Sequence, residues 1–343
     1  MKESILYEKL DNDYVRCHVC DHRCTIAPSK IGICGVRENR SGTLYSMVYG
    51  TSIAESIDPI EKKPLFHVYP GSRSYSIATV GCNFKCDFCQ NYDISQVSRT
   101  RGKIRGHSSM PEEVIERALR SRSKTIAYTY TEPTIFLEYA LEIAKMAHEK
   151  GIKNIFVTNG FMTGEALEEI APYLDAANLD LKSFSNDFYK QYCGGRLQPV
   201  LDSLKKMKAL GIWVEVTTLI IPTLNDSKEE LTDIARYIYS LGSEIPWHIS
   251  RFYPQYRMGH LPPTPVETIH AASETGKEAG LKYVYAGNVQ GDAGENTYCS
   301  NCGKLLIQRY GFTVEKIDLS ELRCPACKTP LDGIYESPGD TTL

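Results

Sequence analysis

Between residues 75 and 288, short apolar, β-branched runs alternate with longer stretches of helical period, and this alternation restricts the fold more than any other feature. Strands separated by helix-length segments cannot pair as hairpins and instead return parallel through crossovers. The runs at 76–80, 125–129, 154–158, 177–181, 212–219 and 247–251 are read as six strands of one parallel sheet, with a seventh at 282–286. Pro111-Glu112-Glu113 puts a proline and two acids into a first helical turn, while Gly151, Gly211, Gly242 and Gly280 are expected to close four helices.

The flanks have a different character. Residues 1–70 carry four cysteines and little periodicity, with Pro64, Pro70 and Gly71 marking a boundary; Gly287, Gly291 and Gly294 mark a second. Three units are expected: a cysteine-rich segment at 1–70, an α/β core at 71–290 and a small module at 291–343. With 39 basic and 42 acidic side chains in 343 residues, the net charge of −3 gives no general attraction to nucleic acid or to an anionic membrane. No apolar stretch approaches the ~20 residues of a membrane span, and Met1-Lys2-Glu3-Ser4 does not begin a signal peptide, so a cytoplasmic protein is expected. Eleven of the twelve cysteines fall into groups at metal-ligand spacings, Cys17/Cys20/Cys24/Cys34, Cys82/Cys86/Cys89 and Cys299/Cys302/Cys324/Cys327, which suits metal binding in a reducing compartment.

The middle group is Gly81-Cys82-Asn83-Phe84-Lys85-Cys86-Asp87-Phe88-Cys89. Ordinary electron-transfer clusters take four thiolates. Three in one loop leave the fourth iron of a [4Fe–4S] cubane open, which suggests chemistry at that metal. A zinc knuckle completed by a distant ligand is the alternative.

The spacing C-x3-C-x2-C, with Phe88 before the third cysteine and an apolar run before the first, resembles the signature of the radical S-adenosylmethionine (radical SAM) superfamily. The resemblance implies a partial (β/α)6 barrel, SAM chelated to the open iron, reductive cleavage of SAM and hydrogen abstraction by a 5′-deoxyadenosyl radical. In such barrels the chemistry lies at the carboxyl ends of the strands, where this loop is expected. Tyr130-Thr131-Glu132-Pro133 stands where the superfamily carries Gly-Gly-Glu, so Glu132 is a candidate for the methionine ammonium, or merely a helix start. Thr158-Asn159-Gly160 and Asp180-Leu181-Lys182 resemble strand ends of glycyl-radical activating enzymes. Phe88, Asn159, Asp180 and Lys182 are accordingly assigned with Glu132 to cofactor binding, although Asp180 and Lys182 could simply pair with each other.

Cys193, alone in Tyr192-Cys193-Gly194-Gly195-Arg196, is either a buried apolar side chain or a catalytic thiol that donates hydrogen or carries an intermediate. Arg196 is a candidate for an anionic substrate or a surface residue. The pairs Cys299/Cys302 and Cys324/Cys327 read as a four-cysteine zinc ribbon, with a rubredoxin-like iron site as the alternative. Cys17, Cys20, Cys24 and Cys34 could hold a second iron–sulfur cluster, or share zinc with His18 and His22. The basic run Arg99, Arg101, Lys103, Arg105 and His107 reads as a steering patch or a solvated loop.

Taken with Val36-Arg37-Glu38-Asn39-Arg40, Lys182-Ser183-Phe184 and the terminal cysteine pairs, these motifs look like the radical SAM component of the AmmeMemoRadiSam system, which is similar to pyruvate formate-lyase activating enzymes. The resemblance implies a flavodoxin- or ferredoxin-like electron donor, an unidentified protein or small-molecule substrate and the other AmmeMemoRadiSam proteins as partners. A non-enzymatic zinc and iron–sulfur scaffold that binds a protein or RNA is the competing reading.

Overall fold

A computed structural model describes residues 1–96 and 104–335. Its centre is an open eight-stranded sheet: β1 (Ala54–Pro59), β2 (Arg73–Ala78), β3 (Thr125–Tyr128), β4 (Lys153–Thr158), β5 (Ala176–Asp180), β6 (Trp213–Ile220), β7 (Trp247–Arg251) and β8 (Val284–Gly287). The strands lie side by side in that order, and all neighbours from β2 to β8 run parallel. Six helices cross between them: α1 (Pro111–Arg120), α2 (Leu137–Glu149), α3 (Gly164–Ile170), α4 (Leu197–Ala209), α5 (Lys228–Leu241) and α6 (Val266–Glu278). All seven strands expected from the sequence are present, within three residues of the expected ends.

Burial explains why these segments read as apolar runs rather than alternating ones. Both faces of a parallel sheet are covered, and all four residues of β3 are buried. In α2 the buried Leu137, Ala140, Leu141, Ala144 and Ala147 recur at helical spacing and face the sheet. Glu113 opens α1 by accepting the Met110 N–H at 2.9 Å, beside Pro111 in the first turn. Gly151, Gly211 and Gly280 end their helices with φ between +73° and +97°, a conformation other residues resist. Gly242 ends α5 in extended backbone instead, at φ 162°.

The flanks are folded onto this core. β1 pairs antiparallel with β2 from Ala54↔Ala78 to Pro59↔Arg73, covering the sheet edge that would otherwise present unpaired backbone groups. Two small antiparallel sheets precede it, one of which contains Val15–Cys17 and Thr25–Ile26. At the other end Thr297–Tyr298, Leu305–Tyr310 and Thr313–Ile317 form an antiparallel ribbon, attached to the core through buried Phe66, Tyr283, Tyr285, Leu306, Ile307 and Leu331. Among the described residues no helix is long and apolar enough to cross a membrane. Of the basic run, Arg99, Arg101 and Lys103 lie outside the described residues; Arg105 is exposed and His107 reaches Glu55 at 3.0 Å.

His67 ties the carboxyl-terminal module to the sheet. Its Nδ1–H donates to the Asp332 carbonyl at 2.6 Å, which fixes the neutral tautomer, and Nε2 accepts from the Tyr285 hydroxyl at 2.7 Å. Complete burial pushes its pKa down to about 4, against an opposing pull from nearby Glu215. The unfolded chain therefore binds a proton between roughly pH 6.5 and pH 4 that the folded chain refuses, so stability falls as pH falls through that window, by ~3 kcal/mol in all. Denaturant unfolding measured from pH 7 to pH 4 is expected to show this slope, and His67→Gln is expected to flatten it.

Candidate active site

The carboxyl ends of the sheet surround a cavity of about 490 Å3, well inside the range of small-molecule sites. Strand ends contribute Thr129, Asn159, Asp180, Leu219, Ser250 and Asn288 to its wall. The cysteine loop after β2 forms another wall with Cys82, Cys86, Cys89 and Phe88, as the barrel rule requires. Glu132 and Lys182 complete the set, so every residue assigned from sequence to the cluster and cofactor faces this one space.

The loop is held from behind. Lys85 N–H donates to the Cys193 carbonyl at 2.7 Å and Asp87 N–H to the Tyr192 carbonyl at 3.0 Å. Phe84 packs against Phe161 and Tyr189, and a Cβ on Gly195 would come within 2.3 Å of the Phe84 ring, so only glycine lets the two segments meet. Sulfur Cys82 Sγ accepts from Phe84 N–H at 3.3 Å and from Asn159 Nδ2 at 3.8 Å; Cys89 Sγ lies 3.3 Å from Ser95 Oγ. Burial pushes the Cys82 and Cys89 thiols up, and Cys86 rises through its hydrogen bond with the Cys193 thiol and then through burial. A metal that binds here displaces protons.

Glu132 is almost wholly buried and serves two purposes. It caps the short helical turn Pro133–Phe136 by accepting from Thr134 N–H at 3.1 Å, the role the helix-start reading predicts. Its Oε1 also takes the Thr134 and Thr158 hydroxyls at 2.5 and 2.7 Å, whereas Oε2 accepts only Asn159 N–H at 2.8 Å. Burial raises its pKa, and the donors oppose that shift. Oε2 thus keeps acceptor capacity, and Glu132 is part of the cavity wall.

Tyr130, where the resemblance expects a glycine, adopts the left-handed conformation that glycine favours, with φ +62°. That strain is held by anchors: the Tyr130 hydroxyl donates to Asp58, Asn91 Nδ2 donates to the Tyr130 carbonyl at 2.8 Å, and the Lys63 ammonium lies 4.4 Å from the ring. Lys63 is paired with Asp58 at 2.6 Å, and burial draws its pKa down to about 8 despite that partner. Lys62, Lys63 and, from the terminal ribbon, Phe312 also line the cavity. No local pattern announces these three. Ser250 and Asn288, which the sequence reading does not name, could have been found from their place beside the ends of β7 and β8.

Asp180 and Lys182 pair at 2.8 Å, and the Lys182 ammonium lies 5.8 Å from the Phe88 ring centre. Burial works against the Lys182 charge, yet Asp180 and the neighbouring thiols outweigh it and hold the group well above the ordinary lysine value. Cys193 is fully buried behind the loop against Cys86 and does not line the cavity. Arg196 donates to the Asp21 carbonyl at 2.7 Å and stacks on Phe161, bracing the strand-end loops instead of facing the cavity.

Away from the cavity, the sulfurs of Cys299, Cys302, Cys324 and Cys327 all lie within 4.8 Å of one another, with Cys299–Cys327 at 3.4 Å and Cys302–Cys324 at 3.6 Å. These approach the ~3.8 Å edge of a tetrahedron whose ligands sit ~2.3 Å from one ion. Cys17, Cys20, Cys24 and Cys34 converge on a separate small void.

A parallel strand-and-helix core with three loop cysteines at its carboxyl face defines the radical SAM class, and the sequence model of the Radical SAM superfamily matches residues 76–238. The chain belongs to that superfamily, whose enzymes use an iron–sulfur cluster and SAM. Within it the chain is 46% identical over 335 residues to the uncharacterized protein MJ0808 of Methanocaldococcus jannaschii, covering 97% of this chain and 99% of that one. It is 29% identical over 190 residues to the pyruvate formate-lyase-activating enzyme of Clostridium pasteurianum, covering 52% of this chain and 76% of that one. Among solved structures, a radical SAM methyltransferase from Sphaerobacter thermophilus shares the fold with a TM-score of 0.50 at 17% identity, over 69% of this chain and 71% of that one.

Proposed function

We propose that Cys82, Cys86 and Cys89 hold a [4Fe–4S] cluster and that SAM fills the adjoining cavity against Phe88, Glu132, Asn159, Asp180 and Lys182. The donor set fits, because three thiols on one loop leave one iron for an outside ligand. When bound, cluster and SAM supply reductive cleavage of the sulfonium and a hydrogen-abstracting 5′-deoxyadenosyl radical.

The chain's own residues bind and orient. The free acceptor capacity of Glu132 Oε2 suits the methionine ammonium, the Lys182 ammonium suits a carboxylate, and Asp180 suits hydroxyl groups of the ribose. Phe84 N–H and Asn159 Nδ2 donate to Cys82 Sγ and so offset thiolate charge, a contact that raises a cluster's reduction potential. Buried Phe84 and Phe88 keep water from the loop. The observation that carries the reading is this convergence of three thiols, a carboxylate with an unused acceptor and a charged pair on one cavity.

Similarity to activating enzymes supports a polypeptide substrate, and the motifs shared with the AmmeMemoRadiSam system favour its proteins as partners; a flavodoxin- or ferredoxin-like protein supplies the electron. The carboxyl-terminal cysteines hold zinc, closed by four ligands and therefore structural. The test is anaerobic reconstitution followed by dithionite and SAM, with 5′-deoxyadenosine measured by mass spectrometry. Product at several turnovers per chain is expected. Protein that carries zinc alone and forms none would establish the scaffold reading in its place.

A further inference from the structure

The amino-terminal cysteines are left unused by this chemistry, and their surroundings distinguish between the two metals that their spacing allows. Cys17, Cys20, Cys24 and Cys34 face a void of about 10 Å3, closed by Val19, Ile26 and Ile135. Apart from Arg37 and the four thiols the space is lined by apolar groups, and such voids are few in close-packed cores.

Sulfur spacing separates mononuclear from polynuclear sites. Four thiolates on one zinc lie ~3.8 Å apart on every edge, whereas a cluster places several irons and sulfides between them and spreads its thiolates to ~6 Å. Among the described residues, the Cys299 set is the one group of three or more histidine, cysteine or acidic ligand atoms lying within 4.8 Å of one another. Neither the amino-terminal set nor the Cys82, Cys86 and Cys89 loop forms such a group. One ring nitrogen of each neighbouring histidine is engaged elsewhere: His22 Nε2 with the Asn83 carbonyl at 2.8 Å, and His18 Nδ1 with Arg23 at 2.8 Å.

Arg37 supplies an independent sign of an anionic occupant. Its side chain is 2% exposed and lines the void; Nη1 and Nη2 are taken by Glu138 at 2.8 and 2.7 Å, while Nε is buried with no acceptor. An orphaned N–H on a buried cation is costly, and the sulfur of a cluster is an acceptor for it.

From these features we propose that Cys17, Cys20, Cys24 and Cys34 hold a second, fully cysteine-ligated iron–sulfur cluster, with Arg37 Nε–H directed at its sulfur, packed against the active-site loop. The packing is direct. A Cβ at Gly81 would lie 2.8 Å from the Cys34 carbonyl and 3.1 Å from Ile135, and His22 holds the carbonyl of Asn83, the residue after Cys82. Only the glycine at position 81, with φ +98°, lets the two cysteine loops touch.

Metal and sulfide analysis of the anaerobically isolated wild-type chain is the first test. One zinc per chain is expected, with iron exceeding the about four atoms of a single cubane by about two to four. Two zincs per chain, or iron that stops at about four, would overturn the proposal. The second test is the triple variant Cys82→Ala/Cys86→Ala/Cys89→Ala, which removes the active-site cluster. It should keep about two to four irons and, once reduced, an electron paramagnetic resonance signal that SAM leaves unchanged, because four thiolates leave no open iron. Cys17→Ser/Cys34→Ser should lose that signal and keep the SAM-sensitive one. If wild-type protein lacks the SAM-sensitive signal yet the triple variant retains iron, the proposed enzymatic function fails while this site stands.

Discussion

Cys86→Ala is expected to abolish 5′-deoxyadenosine formation, by on the order of a thousandfold or more, equivalent to ~4 kcal/mol in the barrier. Cys193→Ala, removing the thiol that touches it, should keep at least about a tenth of wild-type product, since a buried cysteine-to-alanine change falls in the ~1 kcal/mol range of ordinary core substitutions. The contrast follows from position. Cys86 faces the cavity with Cys82 and Cys89, whereas Cys193 does not line it and offers the loop a thiol contact at Cys86 and a backbone carbonyl to Lys85 N–H, the second of which alanine retains. Iron content provides the second measurement: Cys86→Ala should lose the SAM-sensitive cluster and Cys193→Ala should not. If Cys193→Ala instead keeps its iron and loses all product, the thiol itself takes part in the reaction, and its burial is relieved when substrate binds.

What the sequence revealed, and what it concealed, divides along the range of the interactions. Strands β2 to β8 were legible because most of their residues are buried, which favours short apolar and β-branched stretches between the helices; helix ends were legible where proline, acids or glycine act within one turn. The residues assigned by resemblance to cofactor binding share one cavity because one rule of parallel topology brings strand ends to one face. Glu132 shows the limit of that rule, since its cap on Thr134 and its contacts with Thr158 and Asn159 are both real, and local sequence reports only the first. Tyr130 was harder still. Reading it as a departure from glycine suggests lost backbone freedom, yet Asp58, Asn91 and Lys63, from two other segments, hold it at positive φ. Lys63 and Phe312 meet at the cavity from positions 249 residues apart, and nothing in either neighbourhood encodes that encounter. The four amino-terminal cysteines stand at metal-ligand spacing in the sequence, but that spacing is silent on spacing in space, which distinguishes zinc from a cluster.

Arg37→Met is expected to lower the unfolding free energy by about 3–5 kcal/mol, the usual loss when one partner of a buried ion pair is removed. Both side chains of the Arg37–Glu138 pair are at most 2% exposed, and Ser4 donates to the same carboxylate at 2.9 Å. Burial alone would raise the Glu138 pKa, but Arg37 overcomes it and holds the group below the ordinary glutamate value, so the folded protein keeps it ionised. In wild type this contribution is present above the unfolded pKa of ~4.3 and is lost as pH falls through the lower folded value. Without Arg37 the sign reverses: the stranded carboxyl titrates above its unfolded value, so the variant loses stability as pH rises. The gap between the two proteins should therefore be widest near pH 7 and close toward pH 4, a pattern that simple loss of packing would not give. Arg37→Met/Glu138→Leu, which removes both charges and leaves apolar groups of similar volume, should recover most of the loss in denaturant unfolding at pH 7. If the double variant is as unstable as the single, the damage lies in the adjoining cysteine void rather than in the stranded charge, and the iron content of the two proteins will fall together.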